Sequence, residues 1–504
     1  NNQQSRRMFD TLPPVAVEFL DSALAWVYSF QSTFEPTVVL VPAILRDQVV
    51  NLSEAIGFDV PTLNITLGLF MCYPLGAIMN VLPYGPIRHF FSFFFGVFLL
   101  QFVVGVQWIH QMITSLFVYF MFMILPRKLN KWLVPIFVMS YCVLGHLHRQ
   151  YVNYLGWDLD FTSGQMVITQ KLFMMAYNLY DAEVLASGKD SRASKKCEQY
   201  SLNELPNILE YLGYTFNFST VLSGPAFEFS VYKQGCEGTH MYDKNGKPLG
   251  KIPSQFMPTL IPFLKCIGTM IVYVVVGGAF PLLDTVDPQH NTPTILTDAF
   301  LAKPWLYRYG YQWMGLIAIR MKYYFAWINA EGAINIWYAG FDGFDDKGNA
   351  LGWTTANNMN VLGFETAPDI QTLSKEWNKK TSVWLTRYVY IRTNGSLLAV
   401  YGTSAFWHGF YPGYYMFFLS VPLLTMCERV LKKKVSPYFG NNKAKWAPYG
   451  ILGIIVTSVF IEYMVIPFVL LARDRSFACY KAHYFFGHII PVLVLILGSF
   501  LPSP

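Results

Sequence analysis

HFFSFFFGVFLLQFVVGVQWIHQMITSLFVYFMFMILP, residues 89–126, contains no Asp, Glu, Lys or Arg in 38 positions. An ionised side chain at mid-bilayer costs about 2.5–3.5 kcal/mol on insertion scales, so a run of this length reads as membrane-embedded. About 20 residues cross the hydrocarbon core, and 89–126 is therefore expected to form two helices that turn near Gln107–Gln111. Working outward, similar spans are expected near 60–87, 132–148, 160–180, 205–230, 257–283, 305–337, 393–427, 446–472 and 482–501, with one more in the first forty residues. The expected fold is all-α: a polytopic integral membrane bundle of about eleven transmembrane helices.

Composition agrees with that reading. The chain of 504 residues is 53% hydrophobic, 17% aromatic and 13% charged, which excludes a set of soluble domains. The apolar runs are far longer than the roughly 10-residue strands of a membrane barrel. The net charge of +6 is spread over short loops between apolar segments, so the expected partner is the lipid bilayer and not nucleic acid. The basic loops, Arg127–Lys131, the segment with Lys189, Arg192, Lys195 and Lys196, Lys375–Arg392 and Arg429–Lys434, should face the cytosol. Between the spans, 184–204, 235–255, 284–304 and 341–380 are the longest polar segments. None could bury a core of its own, and a single membrane-embedded domain over 1–504 is expected. No internal repeat is visible, which weakens a transporter reading. The opening NNQQSRRMFDTLPP has no apolar signal-peptide core, so the first apolar helix is expected to act as the insertion signal.

Seven cysteines are scattered without a C-x-x-C pair, and no metal-binding spacing is present. His240 and His290 lie in polar loops, and His89, His483 and His488 near span ends; His146 and His148 fall on different faces of a helix, and His110 suits a polar turn. His408 differs. It lies in TSAFWHGFYPGYYMFF, residues 403–418, within an apolar stretch whose other ionisable groups near it are tyrosines. An intramembrane ionisable residue is a functional candidate by default. If the stretch is one helix, Tyr401, Ser404, His408, Tyr411 and Tyr415 form a polar face fit to line a cavity, and Pro412 would kink the helix at His408. The competing reading is a histidine held between helices for packing.

A second cluster precedes it, SKEWNKKTSVWLTRYVYIR at 374–392, with Trp377, Asn378, Trp384 and a basic majority. An asparagine among aromatics can donate an amide hydrogen bond to a carbonyl or developing oxyanion. The same cations could form a solvated juxtamembrane face. G-x-S-x-G, H-E-x-x-H, P-loop and G-x-G-x-x-G signatures are absent, as is H-x-x-x-x-D, so nucleophile-first mechanisms lose support.

WHGFYPGYYMFF, residues 407–418, resembles the W-H-G-x-x-x-G-Y-x-x-x-F pattern of lysophospholipid acyltransferases in the membrane-bound O-acyltransferase superfamily, and WNKKTSVW at 377–384 resembles that family's W-N-x-x-x-x-x-W element. Further similar segments are 160–171, 205–214 with 223–229, and 323–331 leading to 340–344, so the motif-bearing core covers about 60–430, followed by C-terminal helices over 446–501. The Y-P-G-Y-Y run after W-H-G is most similar to the broad-specificity glycerolysophospholipid branch. The resemblance implies an intramembrane reaction chamber in the endoplasmic reticulum, where an acyl group passes from acyl-CoA to the free hydroxyl of a lysophospholipid. His408 would be the general base, and Asn378 would hold the thioester carbonyl or orient the histidine. Trp377, Lys379, Lys380, Trp384, Arg387, Arg392, Ser404, Trp407, Tyr411, Tyr414, Tyr415 and Glu331 are the further candidates for binding substrate and acyl-CoA. Cations would receive the CoA phosphates. No cofactor or metal is implied beyond acyl-CoA as co-substrate. Sterol, diacylglycerol and protein acceptors occur in the same superfamily, and a channel is the rival from another class.

Overall fold

The computed structural model describes residues 40–435 and 443–500, apart from 157–158, 190, 284 and 288–291, with scattered positions before 40. It is nearly all helical, at 74% helix; the sheet among the described residues pairs Thr285–Asp287 with Thr292–Pro293. Among the described residues, five helical stretches are long and apolar enough to cross a membrane: Val60–Val81, Pro86–Ile124, Phe256–Ala279, Pro412–Lys434 and Tyr449–Leu470. The bent pair Arg473–Ala482 and Phe486–Gly498 makes a sixth if it is one span. The chain is a multi-pass membrane protein.

Local chemistry sets the starts of these helices. Asp59 caps Val60–Val81, its carboxylate accepting from the Thr62 N–H at 2.9 Å, and proline occupies the first turn both there and at Pro86, where its missing N–H leaves nothing unsatisfied.

The structure departs from the expected eleven spans in identifiable ways. Residues 89–126 do break near the expected place, but at a 3-10 turn over Gly105–Gln107 that carries Pro86–Val104 on into Trp108–Ile124 as one 39-residue apolar stretch. The segment 205–230 is not a span. It forms only the eight-residue helix Ile208–Thr215 and then irregular backbone whose Phe216, Phe218, Val221 and Phe227 are buried in protein. These apolar side chains face an interior built of other side chains, which hydropathy cannot distinguish from lipid. The regions 132–148, 160–180 and 305–337 are the long helices Arg127–Val152, Thr162–Ala186 and Trp305–Ile336. The last two carry buried Lys171, Arg308 and Arg320, which lowers their hydropathy. The span expected in the first forty residues falls, for the most part, outside the described residues.

Packing gathers the chain into two compact units, 1–264 with 326–357 and 383–396, and 265–325 with 358–382 and 397–504. In the first, Arg127–Val152 runs along Thr162–Ala186, and Ile208–Thr215 packs on Pro86–Val104. The latter approach is so close that a Cβ on Gly96 would sit 1.5 Å from the Phe216 carbonyl oxygen. Lys171 is fully buried and donates to the Tyr214 and Thr215 carbonyls and the Thr220 hydroxyl at 2.9, 3.2 and 3.0 Å. These acceptors satisfy the ammonium that the apolar surroundings would otherwise penalise. In the second unit, Pro412–Val435 packs against Lys443–Leu470 and Phe486–Phe500.

Candidate active site

His408 is the last residue of the helix Leu397–His408. The single helix expected through 393–427 stops there, because Gly409 adopts φ +111°, a conformation that L side chains rarely enter. Pro412 opens the next helix, Pro412–Val435, and so does not kink a continuous one; at a helix start it is preorganised. The expected polar face is therefore split. Tyr401, Ser404 and His408 share the first helix, Tyr411 lies in the break, and Tyr415 belongs to the second helix, where its ring stacks on Phe410. The second glycine of W-H-G-x-x-x-G has a different role. A Cβ on Gly413 would lie 2.0 Å from the Pro467 carbonyl oxygen, and its N–H donates to the Leu471 carbonyl at 2.8 Å. Gly413 thus brings the start of its helix hard against the end of Lys443–Leu470.

The break sets the imidazole in an aromatic surround. Its centroid lies 4.7 Å from Trp407, 5.9 Å from Tyr414, 5.2 Å from Phe418 and 5.2 Å from Phe468. Nδ1 lies 2.7 Å from the Ser404 carbonyl oxygen. A carbonyl only accepts, so Nδ1 carries the proton of the neutral ring and Nε2 the lone pair. That is the tautomer a general base needs.

Asn378 belongs to the same compact unit. It sits between Ile370–Glu376 and Lys379–Leu385 and has φ +42°, a left-handed conformation that asparagine tolerates better than most residues. Asn358, fully buried, fastens this joint. Its carbonyl accepts from the Lys379 N–H at 2.9 Å, its side-chain oxygen from the Lys380 N–H at 2.9 Å, and its amide nitrogen donates to Asn378 Oδ1 at 3.2 Å. With Oδ1 so engaged, the Asn378 NH2 is the end left to donate. The indole of Trp377 is shelved by Tyr323, Tyr324 and Phe364 at 5.8, 5.9 and 5.0 Å. Tyr324 in turn donates to Glu365 at 2.7 Å, and Arg320 forks onto Glu365 and also binds Glu462.

Sequence reasoning missed Asn358, Phe468 and the Arg320 trio. None had a signal beyond an Asn-rich loop or an isolated charge. Arg320→Gln should leave Glu365 and the 2%-exposed Glu462 side chain uncompensated, a loss of about 3–5 kcal/mol by the usual cost of breaking a buried pair. A thermal midpoint in detergent equal to wild type would show that the trio does not hold this unit together.

The other candidates are placed elsewhere. Trp384 is buried with its ring edge-on to Phe173 at 5.4 Å, in the first unit. Glu331 accepts from the Asn357 amide at 3.0 Å, also there. Of the four cations expected to meet CoA, three hold carboxylates: Lys379 with Glu376 at 2.8 Å, Arg387 with Glu228 at 3.1 Å and Arg392 with Asp181 at 2.7 Å. The Lys379 ammonium keeps the Glu376 carboxyl below its ordinary range.

Several other histidines have local hydrogen-bond partners. His110 bonds Tyr141 at 2.9 Å, His483 bonds Gln312 at 3.1 Å and His488 lies between Ser420 and Tyr463. His89, Glu210 and Glu237 cluster within 4.8 Å, but the Lys233 ammonium already bridges the two carboxylates at 3.1 and 3.5 Å.

Residues 134–465 match the model of the membrane-bound O-acyltransferase family. The chain belongs to that family. This membrane-bound O-acyltransferase is 30% identical over 422 residues to membrane-bound glycerophospholipid O-acyltransferase 2 of Gallus gallus, covering 82% of this chain and 79% of that one. It is 28% identical to the lysophospholipid acyltransferase of Schizosaccharomyces pombe, over 88% and 87% of the two chains. Against membrane-bound glycerophospholipid O-acyltransferase 1 of Homo sapiens it is 30% identical, over 82% and 83%. The matched region contains both His408 and Asn378, and the protein is an acyltransferase enzyme.

Proposed function

We propose that this acyltransferase moves a fatty acyl group from acyl-CoA to the free hydroxyl of a lysophospholipid, within the membrane of the endoplasmic reticulum. The observation that carries the catalytic assignment is the Nδ1 contact to the Ser404 carbonyl, which leaves Nε2 of His408 as the proton acceptor. Nε2 takes the hydroxyl proton as the oxygen attacks the thioester carbonyl. The Asn378 NH2 donates to the oxyanion, the C–S bond breaks, and the imidazolium returns the proton to the CoA sulfur. Lys379 and Lys380, beside Asn378, are assigned to the CoA phosphates. The names of the relatives support the acceptor class. We further assign membrane crossings to Arg127–Val152, Thr162–Ala186 and Trp305–Ile336, since each exceeds the roughly 20 residues a crossing needs, moving the total toward the eleven expected from sequence.

The test is release of free CoA thiol by the purified chain given acyl-CoA and a panel of lysophospholipid headgroups. Release that requires a lysophospholipid supports the reading. Release with a sterol or diacylglycerol but with no lysophospholipid overturns it.

Transfer is expected to be direct. The His408 ring touches Phe418 on the second helix, and Cys427 lies nine residues further along it, about 14 Å at 1.5 Å rise per residue, whereas an activated thiol needs its base at about 3 Å. Ser404 is the alternative nucleophile on the His408 helix, although its carbonyl already serves the ring. Incubating the enzyme with labelled acyl-CoA and no acceptor should give no stoichiometric adduct by intact mass. A rapid adduct discharged by lysolipid and absent in Ser404→Ala would contradict direct transfer.

A further inference from the structure

Three of the basic segments separated in the sequence converge on one cavity in the first compact unit. The cavity has a volume of roughly 550 Å³ and is lined by Lys131 from one segment, Arg192 and Lys196 from a second, and Arg392 from a third. The general preference for cations on one side of a membrane explains basic loops, but it does not require them to meet around a hollow. Arg392 is neutralised in place. Its guanidinium forks onto the buried Asp181 at 3.1 and 2.7 Å, and Ser194 donates to the same carboxylate at 2.9 Å.

Lys131, Arg192 and Lys196 make no ion pair among the described residues. The Lys131 ammonium stands 3.7 Å over the Tyr180 ring, which holds it at the cavity wall. Trp132, beside it, also lines the cavity and is 57% exposed, as expected of an indole at the level of lipid headgroups. A pocket with uncompensated cations, hydroxyls and aromatic faces suits a multivalent anion, and the volume falls within the few-hundred to 1,000 Å³ range of ligand sites.

We propose that this cavity is a binding site for a phosphate-bearing ligand, held by Lys131, Arg192 and Lys196. The ligand chemistry is shared by a soluble nucleotide phosphate and by the headgroup of an anionic phospholipid. The site does not rest on the assignment of His408 and Asn378, and ligand binding should be unchanged in His408→Ala.

The full chain in phosphatidylcholine nanodiscs would be titrated with radiolabelled adenosine 3′,5′-bisphosphate. In a second arm, nanodiscs containing spin-labelled phosphatidic acid would report immobilised lipid. Wild type should bind one of the two probes, with affinity falling as salt is raised. The combined variant Lys131→Gln, Arg192→Gln, Lys196→Gln should bind that probe about tenfold or more weakly, since charge-assisted bonds to phosphate are removed. The charge-keeping variant Lys131→Arg, Arg192→Lys, Lys196→Arg should retain binding, separating loss of charge from loss of fold. Binding in the first arm alone identifies a nucleotide site; binding in the second alone identifies a lipid site. Failure of both probes to bind wild type, or equal binding by the glutamine variant, overturns the proposal.

Discussion

Purified His408→Ala is expected to insert and fold like the wild-type chain while turning over about 10² to 10⁴ times more slowly, the usual range for loss of a positioned general base. Folding should survive because the ring ends a helix and is only partly buried, with its named polar contact made to a backbone carbonyl one turn back. Truncation removes aromatic contacts with Phe418 and Phe468 but leaves no buried charge behind. The helix break is set by Gly409 and Pro412 and should persist. Turnover near normal in the folded variant would show that the histidine packs the helices and does no chemistry.

Asn378→Gly is the sharper test of the second motif residue. The joint requires φ +42°, which alanine would resist, so Asn378→Ala would mix strain with loss of the amide. Glycine keeps the backbone and removes the whole amide, the NH2 donor together with the Oδ1 that accepts from Asn358. Turnover should fall about 10² to 10³, as for loss of one oxyanion donor, with little change in the Michaelis constant for the lysolipid. A rise in that constant alone would make Asn378 a binding residue. Asn358→Ala, which removes the bonds from the Asn358 side chain to Lys380 N–H and Asn378, should give a smaller loss of the same kind.

His408 stands out as a candidate because an ionisable residue in an uncharged stretch is costly unless used, and Asn378 because it stands next to a tryptophan in a motif that resembles the family's; the structure places both in the same compact unit. The sequence did not reveal that the helix ends at His408. Pro412 alone permits a kink or a start, and the choice falls to Gly409 taking a positive φ and Gly413 meeting the Pro467 carbonyl. Both are tertiary facts. The same limit explains 205–230, where Phe216, Phe218, Val221 and Phe227 face protein. It also explains Asn358 and Glu462, which reach Asn378 and Arg320 across 20 and 142 positions of chain. Arg387 and Arg392 were readable as cations but not as partners of Glu228 and Asp181, because pairing depends on which helices are neighbours.

The most direct test is a structure of the enzyme with a non-reactive acyl-CoA analogue and a lysophospholipid both bound. The acceptor hydroxyl should lie within about 2.6–3.2 Å of His408 Nε2, or be joined to it through one water, with Nδ1 still on the Ser404 carbonyl and the Asn378 NH2 directed at the thioester oxygen. A hydroxyl seated beyond that reach, or against a different base, would contradict the assignment of His408 as the residue that takes its proton.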